Sequence, residues 1–250
     1  RRLTAMIDDF VSVPRSQTDV VIGGIKAMLT RGELGPGSRL PIEKDLAAQL
    51  GVSRGSLREG VRALATLGVL ETRQGDGTYV TALDPRTLLS PLGFLADLQQ
   101  PAHAADLLAV RRMLEAETVS LAATRLTDEE LAQLDRTLGV VDTILQNDPD
   151  MDLEGFIDAD TEFHRIIARA SGNPALAAII DTLVGRTFRA RLWRAITHRG
   201  SVRETQAEHR AILDELVRRD PARARIRMQV HLLGVEEFSA AHADEDPEAQ

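Results

Sequence analysis

The chain has 250 residues, 43% hydrophobic and 27% charged, with a formal net charge of -8 at pH 7 and no cysteine. That length suits two domains, each able to bury a core of its own, and the missing cysteines exclude disulfides and thiolate metal sites, so any metal must be held by nitrogen and oxygen. No run approaches the roughly 18 apolar residues of a membrane span and no signal-peptide pattern opens the sequence, which predicts a cytoplasmic protein without a membrane partner.

Residues 1–17 place Leu3, Met6, Ile7, Phe10 and Val11 at helical spacing, but Pro14 and Ser16 interrupt soon after. A flexible arm and a docked helix are equally compatible with that pattern. Over residues 18–31 Val21, Ile22, Ile25, Met28 and Leu29 form an amphipathic helix closed by Gly32. A short helix with Ile42, Leu46, Ala47 and Leu50 on one face follows and ends at Gly51. Ser53 is placed to cap the next helix, residues 54–67, which buries Leu57, Val61, Leu64 and Ala65 and turns Arg54, Arg58 and Arg62 to another face. Residues 69–73 and 78–81 read as a two-stranded ribbon with Gln74-Gly75-Asp76-Gly77 at its tip.

Together these elements, within residues 18–83, predict a winged helix-turn-helix. An arginine row on an exposed helix can bond guanine edges or phosphate oxygens, and a glycine tip can approach a backbone closely. Taken alone, arginines four apart are a solvated face; turn, row and wing occurring together point to duplex DNA. Residues 1–83 carry 11 Lys and Arg against 9 Asp and Glu, and the remainder 19 against 29. The DNA-binding charge is therefore a small local patch, which dimerisation would double.

Asp84-Pro85 marks a boundary, because proline disfavours helix in the residue before it. Beyond it no strand pattern stands out. Seven helices are expected, at residues 87–99, 103–125, 128–147, 151–171, 174–198, 202–219 and 221–240, with residues 241–250 a polar, disordered tail. The predicted fold is thus mostly α, a winged head followed by an all-helical bundle over residues 84–240.

Polar residues interrupt the inward stripes of that bundle. The stripes Ile157, Asp160, His164, Ile167, then Val202, Gln206, His209, Leu213, Leu216, and Ala224, Met228, His231, Val235, Phe238 carry one carboxylate and three imidazoles. Asp160 and His164 share one helical face. Buried polar groups need partners, and a carboxylate with three imidazoles can form the ligand set of a divalent metal. Hydrogen-bonded core histidines are the alternative. Arg111, on the stripe Leu107, Arg111, Leu114, Thr118, Leu121, points inward as well; an ion pair with Glu115 would explain it without any ligand. His103 and His198 read as surface or cap residues, and Asn173 before Pro174 as a helix start. Arg186, Arg189, Arg191 and Arg194 lie too far round their helix to make one patch and read as solvated, with a pocket or domain contact as the alternative.

Residues 34–80 closely resemble the signature of the GntR family of bacterial transcription regulators, in Leu34-Gly35-Pro36-Gly37, Arg39-Leu40-Pro41, Gly51-Val52-Ser53-Arg54, Leu57-Arg58-Glu59 and Gly75-Asp76-Gly77-Thr78-Tyr79-Val80. The resemblance implies DNA contacts from Lys44, Ser53, Arg54, Ser56, Arg58 and Gly75. Lys44 stands where the family more often has arginine, and Gly55 and Gly60 sit inside the reading helix, where glycine costs about 1 kcal/mol against alanine; tight packing would account for Gly60. The remainder resembles the FCD domain of the FadR subfamily, in Arg111-Arg112-Met113-Leu114-Glu115, Asp160-Thr161-Glu162-Phe163-His164, Ser171-Gly172-Asn173, Glu208-His209 and the stretch from Met228 to His231.

In the metal-binding members of that domain the ligands correspond to Asp160, His164, His209 and His231, which implies a zinc, nickel or manganese ion here. Arg111 is implied as a contact to an anionic effector, a small hydroxy acid or sugar acid. Taken over both domains, the resemblance implies a homodimeric, ligand-responsive regulator of operator DNA, most often a repressor in that family, and not an enzyme. The rivals are a metal-dependent hydrolase carrying a DNA-binding head, for which no general base or nucleophile motif is found, and a regulator whose metal is purely structural.

Overall fold

The computed structural model describes residues 16–89, 91, 104–146, 151–198 and 200–242. Residues 1–15 of the expected N-terminal arm, most of the helix expected at 87–99, His103 and nearly all of the expected tail lie outside them, while Ser16 and Gln17, expected as the end of that arm, start the first helix. The chain divides into two compact units, Arg1–Pro91 and Leu92–Gln250.

In the first unit α1 spans Gln17–Thr30, α2 Glu43–Leu50 and α3 Arg54–Thr66. A capping box starts α1: the Ser16 hydroxyl accepts from Asp19 N–H, and the Asp19 carboxylate accepts from Ser16 N–H. Gly51, in the left-handed region at φ 67°, ends α2, and Ser53 caps α3 by accepting from Ser56 N–H at 3.1 Å. The ribbon is β1 (Leu70–Arg73) paired antiparallel with β2 (Gly77–Val80), in the register Leu70 to Val80 and Arg73 to Gly77. Val21, Ile25, Leu40, Leu46, Leu57, Leu64, Leu70 and Val80 meet in one core. This is the winged helix-turn-helix that the sequence predicts. Gly60 explains itself: a Cβ there would stand 2.5 Å from Val21 Cγ1 on α1.

The second unit is all helix: α4 (Ala104–Ala123), α5 (Asp128–Gln146), α6 (Leu153–Ala170), α7 (Pro174–Arg186), α8 (Phe188–Thr197), α9 (Ser201–Val217) and α10 (Pro221–Ala241). Its core joins Val119, Leu134, Leu138, Phe163, Ile166, Ile212, Leu216, Met228 and Leu232. α4 packs along α10, and α6 lies against α4, α5, α7 and α8. One expectation needs correcting. The single helix expected over 174–198 is broken at Thr187, which closes α7 and opens α8 while its hydroxyl donates to the carbonyls of Leu183 and Val184 (3.0 and 3.4 Å). Gly185, a poor helix former, stands two residues before it.

Because Gly60 is packed against α1, Gly60→Ala should destabilise the first unit by about 1–3 kcal/mol, the usual cost of overpacking. At Gly55 an added Cβ meets only Ser53 Oγ at 3.7 Å, so Gly55→Ala should raise stability by about 0.4–1 kcal/mol. Calorimetric melting of the two variants checks the pair; equal shifts would contradict the packing argument.

Candidate metal centre and nucleic-acid interface

The head presents its candidate DNA contacts on the N-terminal half of α3, on α2 and at the wing tip. Lys44, Ser53, Arg54, Arg58 and Gly75 are exposed, and Ser56 is half-buried. The hydroxyls of Ser53 and Ser56 lie 2.9 Å apart, engaged with one another. Arg58 reaches back to Glu43 on α2, donating from Nε at 3.0 Å and from Nη2 at 2.8 Å. This cross-helix pair, fifteen residues apart, has no periodic signature. The wing is braced in a way that the sequence reading also missed. Arg73 stacks over the Tyr79 ring at 4.3 Å, the Tyr79 hydroxyl donates to Asp76 at 2.8 Å, and Arg39 bonds the Asp76 carbonyl.

In the bundle, α6 carries Asp160 and His164 one turn apart, α9 carries His209 and α10 carries His231; all four are buried, and one donor atom from each lies within 4.8 Å of the others. His209 Nε2 stands 3.2 Å from His231 Nε2 and 3.6 Å from Asp160 Oδ1. Donor atoms each about 2.1 Å from one ion stand roughly 3 to 3.5 Å apart, so the spacing fits a shared cation. The donor chemistry agrees: His164 Nε2 is fully buried and has no hydrogen-bond partner.

Each of three candidate ligands is gripped on its other side. Glu115 on α4 bonds His164 Nδ1, Glu208 accepts from His231 Nδ1 at 2.8 Å, and Arg191 on α8 bonds Asp160 Oδ2. Phe163 stacks on His209 with ring centres 4.3 Å apart. Outer partners of this kind fix the tautomer and aim of metal ligands.

Arg111, fully buried on α4, donates from Nε to Glu115 and from Nη1 to Thr187 Oγ1 at 3.3 Å, while Nη2 is buried without a partner. The ion pair with Glu115 is therefore real, and it leaves one guanidinium edge unused. Arg191 corrects the expectation of a solvated position: it is 6% exposed and also donates to the Val184 carbonyl at 2.7 Å, beside the break that Thr187 makes. The signal was there in Ile180, Val184, Thr187 and Arg191, an inward stripe at spacings of four, three and four. Arg194 is half-buried, bonded to Thr205 at 3.1 Å. His198 ends α8 at the surface and Asn173 caps α7.

Burial dominates the protonation of the centre. It pushes His209 well down, helped by the neighbouring His231 and His164, and takes His231 down to about 4 against the pull of Glu208. Burial alone would raise the Glu115 carboxyl, but Arg111 and His164 together more than offset it and hold the group at about 2.

A short helix with exposed arginines, a wing beside it, and a separate bundle with a polar heart are the parts of a winged-helix DNA-binding regulator. Comparison with known proteins agrees: residues 17–80 match the bacterial regulatory proteins of the gntR family and residues 106–234 match the FCD domain. The chain belongs to the GntR family and is a DNA-binding transcriptional regulator with an FCD C-terminal domain.

Among its relatives, the HTH-type transcriptional regulator YcbG of Bacillus subtilis (strain 168) is 34% identical over 213 residues, 85% of each chain. The HTH-type transcriptional repressor NanR of Klebsiella aerogenes is 31% identical over 223 residues, covering 87% of this chain and 83% of its own. Among solved structures, Streptococcus agalactiae GntR matches with a TM-score of 0.63 and 28% identity, over 88% of this chain and 99% of its own. These relatives are named as regulators, as expected of a protein that is not an enzyme. Among the described residues no helix is long and apolar enough to cross a membrane.

The low value of His231 carries a sign. Because it lies below the ordinary histidine value of 6.5, the unfolded chain binds more protons between about pH 6.5 and 4, and stability falls as pH is lowered through that window. With a chelator present, lowering pH from about 7.5 to about 5 should cost the second unit about 2 kcal/mol from His231 alone, by linkage. Thermal melts across that range check it; a melting temperature that stays flat would contradict neutral burial.

Proposed function

We propose that the protein is a cytoplasmic, homodimeric repressor released by a small carboxylate that binds beside a divalent metal in the C-terminal bundle. The division of labour would be residues 18–83 for DNA and residues 84–240 for sensing and dimerisation. Lys44, Ser53, Arg54, Ser56, Arg58 and Gly75 would touch the operator. Asp160, His164, His209 and His231 would hold zinc, nickel or manganese, and Arg111 would pair with the effector. The observation that carries this reading is the convergence of four buried donors from three helices beside a buried guanidinium with one free edge. The metal would supply a Lewis-acidic anchor for an oxygen ligand. The name of NanR, a repressor, supports the direction of the output.

The cavity bounded by Asp160, Arg191, Arg194, Ser201 and Thr205 measures about 10 Å³, room for one water at most. An effector that reached Asp160 through this cavity would have to shift side chains on α8 or α9 as it entered. That gives a local rearrangement that favours one arrangement of the two DNA-binding heads, provided the effector binds the two arrangements with different affinity. Dimerisation suits the outer faces of α4 and α10, where Val110, Met113, Ile226, Val230 and Leu233 are 40–59% exposed. Two copies would set two reading helices about 34–36 Å apart, one turn of DNA.

Elemental analysis should find about one metal per chain. An operator gel shift that a hydroxy or sugar acid reverses, and that chelation makes unresponsive, would support the reading; a metal-loaded protein stabilised by metal yet deaf to every acid would leave the metal structural. Arg54→Ala should weaken operator binding by about 1–3 kcal/mol while leaving the effector response intact. Val230→Glu should yield a monomer in sedimentation velocity, and an undisturbed dimer would remove α10 from the interface.

A further inference from the structure

Among the described residues, two buried polar atoms without a hydrogen-bond partner are Arg111 Nη2 and His164 Nε2. They lie on different helices, and both belong to side chains that Glu115 holds. One Glu115 oxygen accepts from Arg111 Nε, and the other bonds His164 Nδ1. Glu115 is 1% exposed, so no water competes for it. An ionised carboxylate has acceptors only. The His164 proton therefore sits on Nδ1, and a neutral ring has no second proton to place on Nε2. The lone pair of Nε2 is left for the cluster that His164 forms with Asp160, His209 and His231.

We infer that Glu115 is a positioning residue with two simultaneous tasks, fixing the His164 tautomer that can ligate a metal ion and turning Arg111 so that Nη2 meets an anion bound beside that ion. The inference rests on the metal reading above and goes beyond it, because it makes metal affinity and anion recognition depend on one carboxylate. A mere counter-ion to Arg111 would not care what faces His164. Glutamine separates the two roles, since it keeps the size and loses an acceptor. If its amide oxygen stays with Arg111 Nε, its NH2 faces His164 Nδ1, the ring must accept there, and the proton moves to Nε2. If the amide is reversed, its NH2 opposes the Arg111 N–H and the guanidinium is released from its aim.

The test measures zinc and manganese affinity of the full chain by calorimetry without any added carboxylate, together with imidazole nitrogen NMR of His164. Glu115→Gln should lower metal affinity about 10- to 100-fold and shift the His164 proton from Nδ1 to Nε2 while helical circular dichroism holds. If that variant fails to fold because Arg111 has lost its counter-charge, Glu115→Gln combined with Arg111→Gln removes the unpaired cation, and the same fall in affinity is expected. Metal affinity within threefold of the parent in a folded variant whose His164 proton has moved to Nε2, or a parent His164 protonated at Nε2, overturns the inference. A parent that binds neither metal refutes the metal reading alone, and the tautomer then decides the role of Glu115.

Discussion

Glu115 lies where water does not reach, between a guanidinium on its own helix and an imidazole on another, and the interior of the bundle is arranged around that fact. A carboxylate buried alone would take up a proton, and removing one partner of a buried ion pair typically costs about 3–5 kcal/mol. Arg111 and His164 must therefore stay where Glu115 can reach them, which fixes α4 against α6. Arg111 in turn bonds Thr187, the residue that breaks the chain between α7 and α8. Arg191 then closes the ring by joining the Val184 carbonyl to Asp160 on α6. Four helices are held by polar contacts that each need the others to remain satisfied, so a ligand that shifted one member would disturb its neighbours.

The head follows the opposite policy. Its cations are exposed and lightly paired, Arg58 with Glu43, Arg73 with Glu71 and Arg39 with Asp76. Exposed pairs of this kind are worth about 0–1 kcal/mol, so a phosphate or guanine edge would replace the carboxylate at little cost. The pairing would still matter. It holds Arg58 against Glu43 and reduces the net field of a face with little excess positive charge, which would limit attraction to arbitrary sequences. In the proposed dimer, specific contacts at two half-sites would then supply the affinity.

Local periodicity made much of this visible in advance. Asp160, His164, His209, His231 and Arg111 could be placed inside because each sits at a helical interval from apolar neighbours, a property of a dozen residues of chain. Arg191 obeys the same rule through Ile180, Val184 and Thr187, but it stands among Arg186, Arg189 and Arg194, a run of cations whose composition reads as a solvated face. The break at Thr187 has a weaker signal, Gly185 two residues before it, because a single glycine is also tolerated inside a continuous helix. Glu43 with Arg58 and Arg39 with the wing depend on how separate elements meet, so no window on the sequence contains them. The two grips on His164 and Arg111 by Glu115 fall between these cases: half of the contact is four residues away and half is forty-nine.

The charges of the centre would connect a metal to an anion. Asp160 with Arg191 and Glu115 with Arg111 are two neutral pairs, and the histidines are kept neutral by burial. Glu208, one-third exposed, is screened by water. A divalent ion at the four donors would add two positive charges to an interior where charge is costly to leave uncompensated. Arg111 Nη2, buried and unbonded, adds a further place where only an acceptor fits. An anion that reaches both the ion and that guanidinium edge relieves both at once, and a neutral ligand of the same shape relieves neither. Selectivity for acids would then come from the charge balance of the whole cluster, with the shape of the enlarged cavity choosing among them.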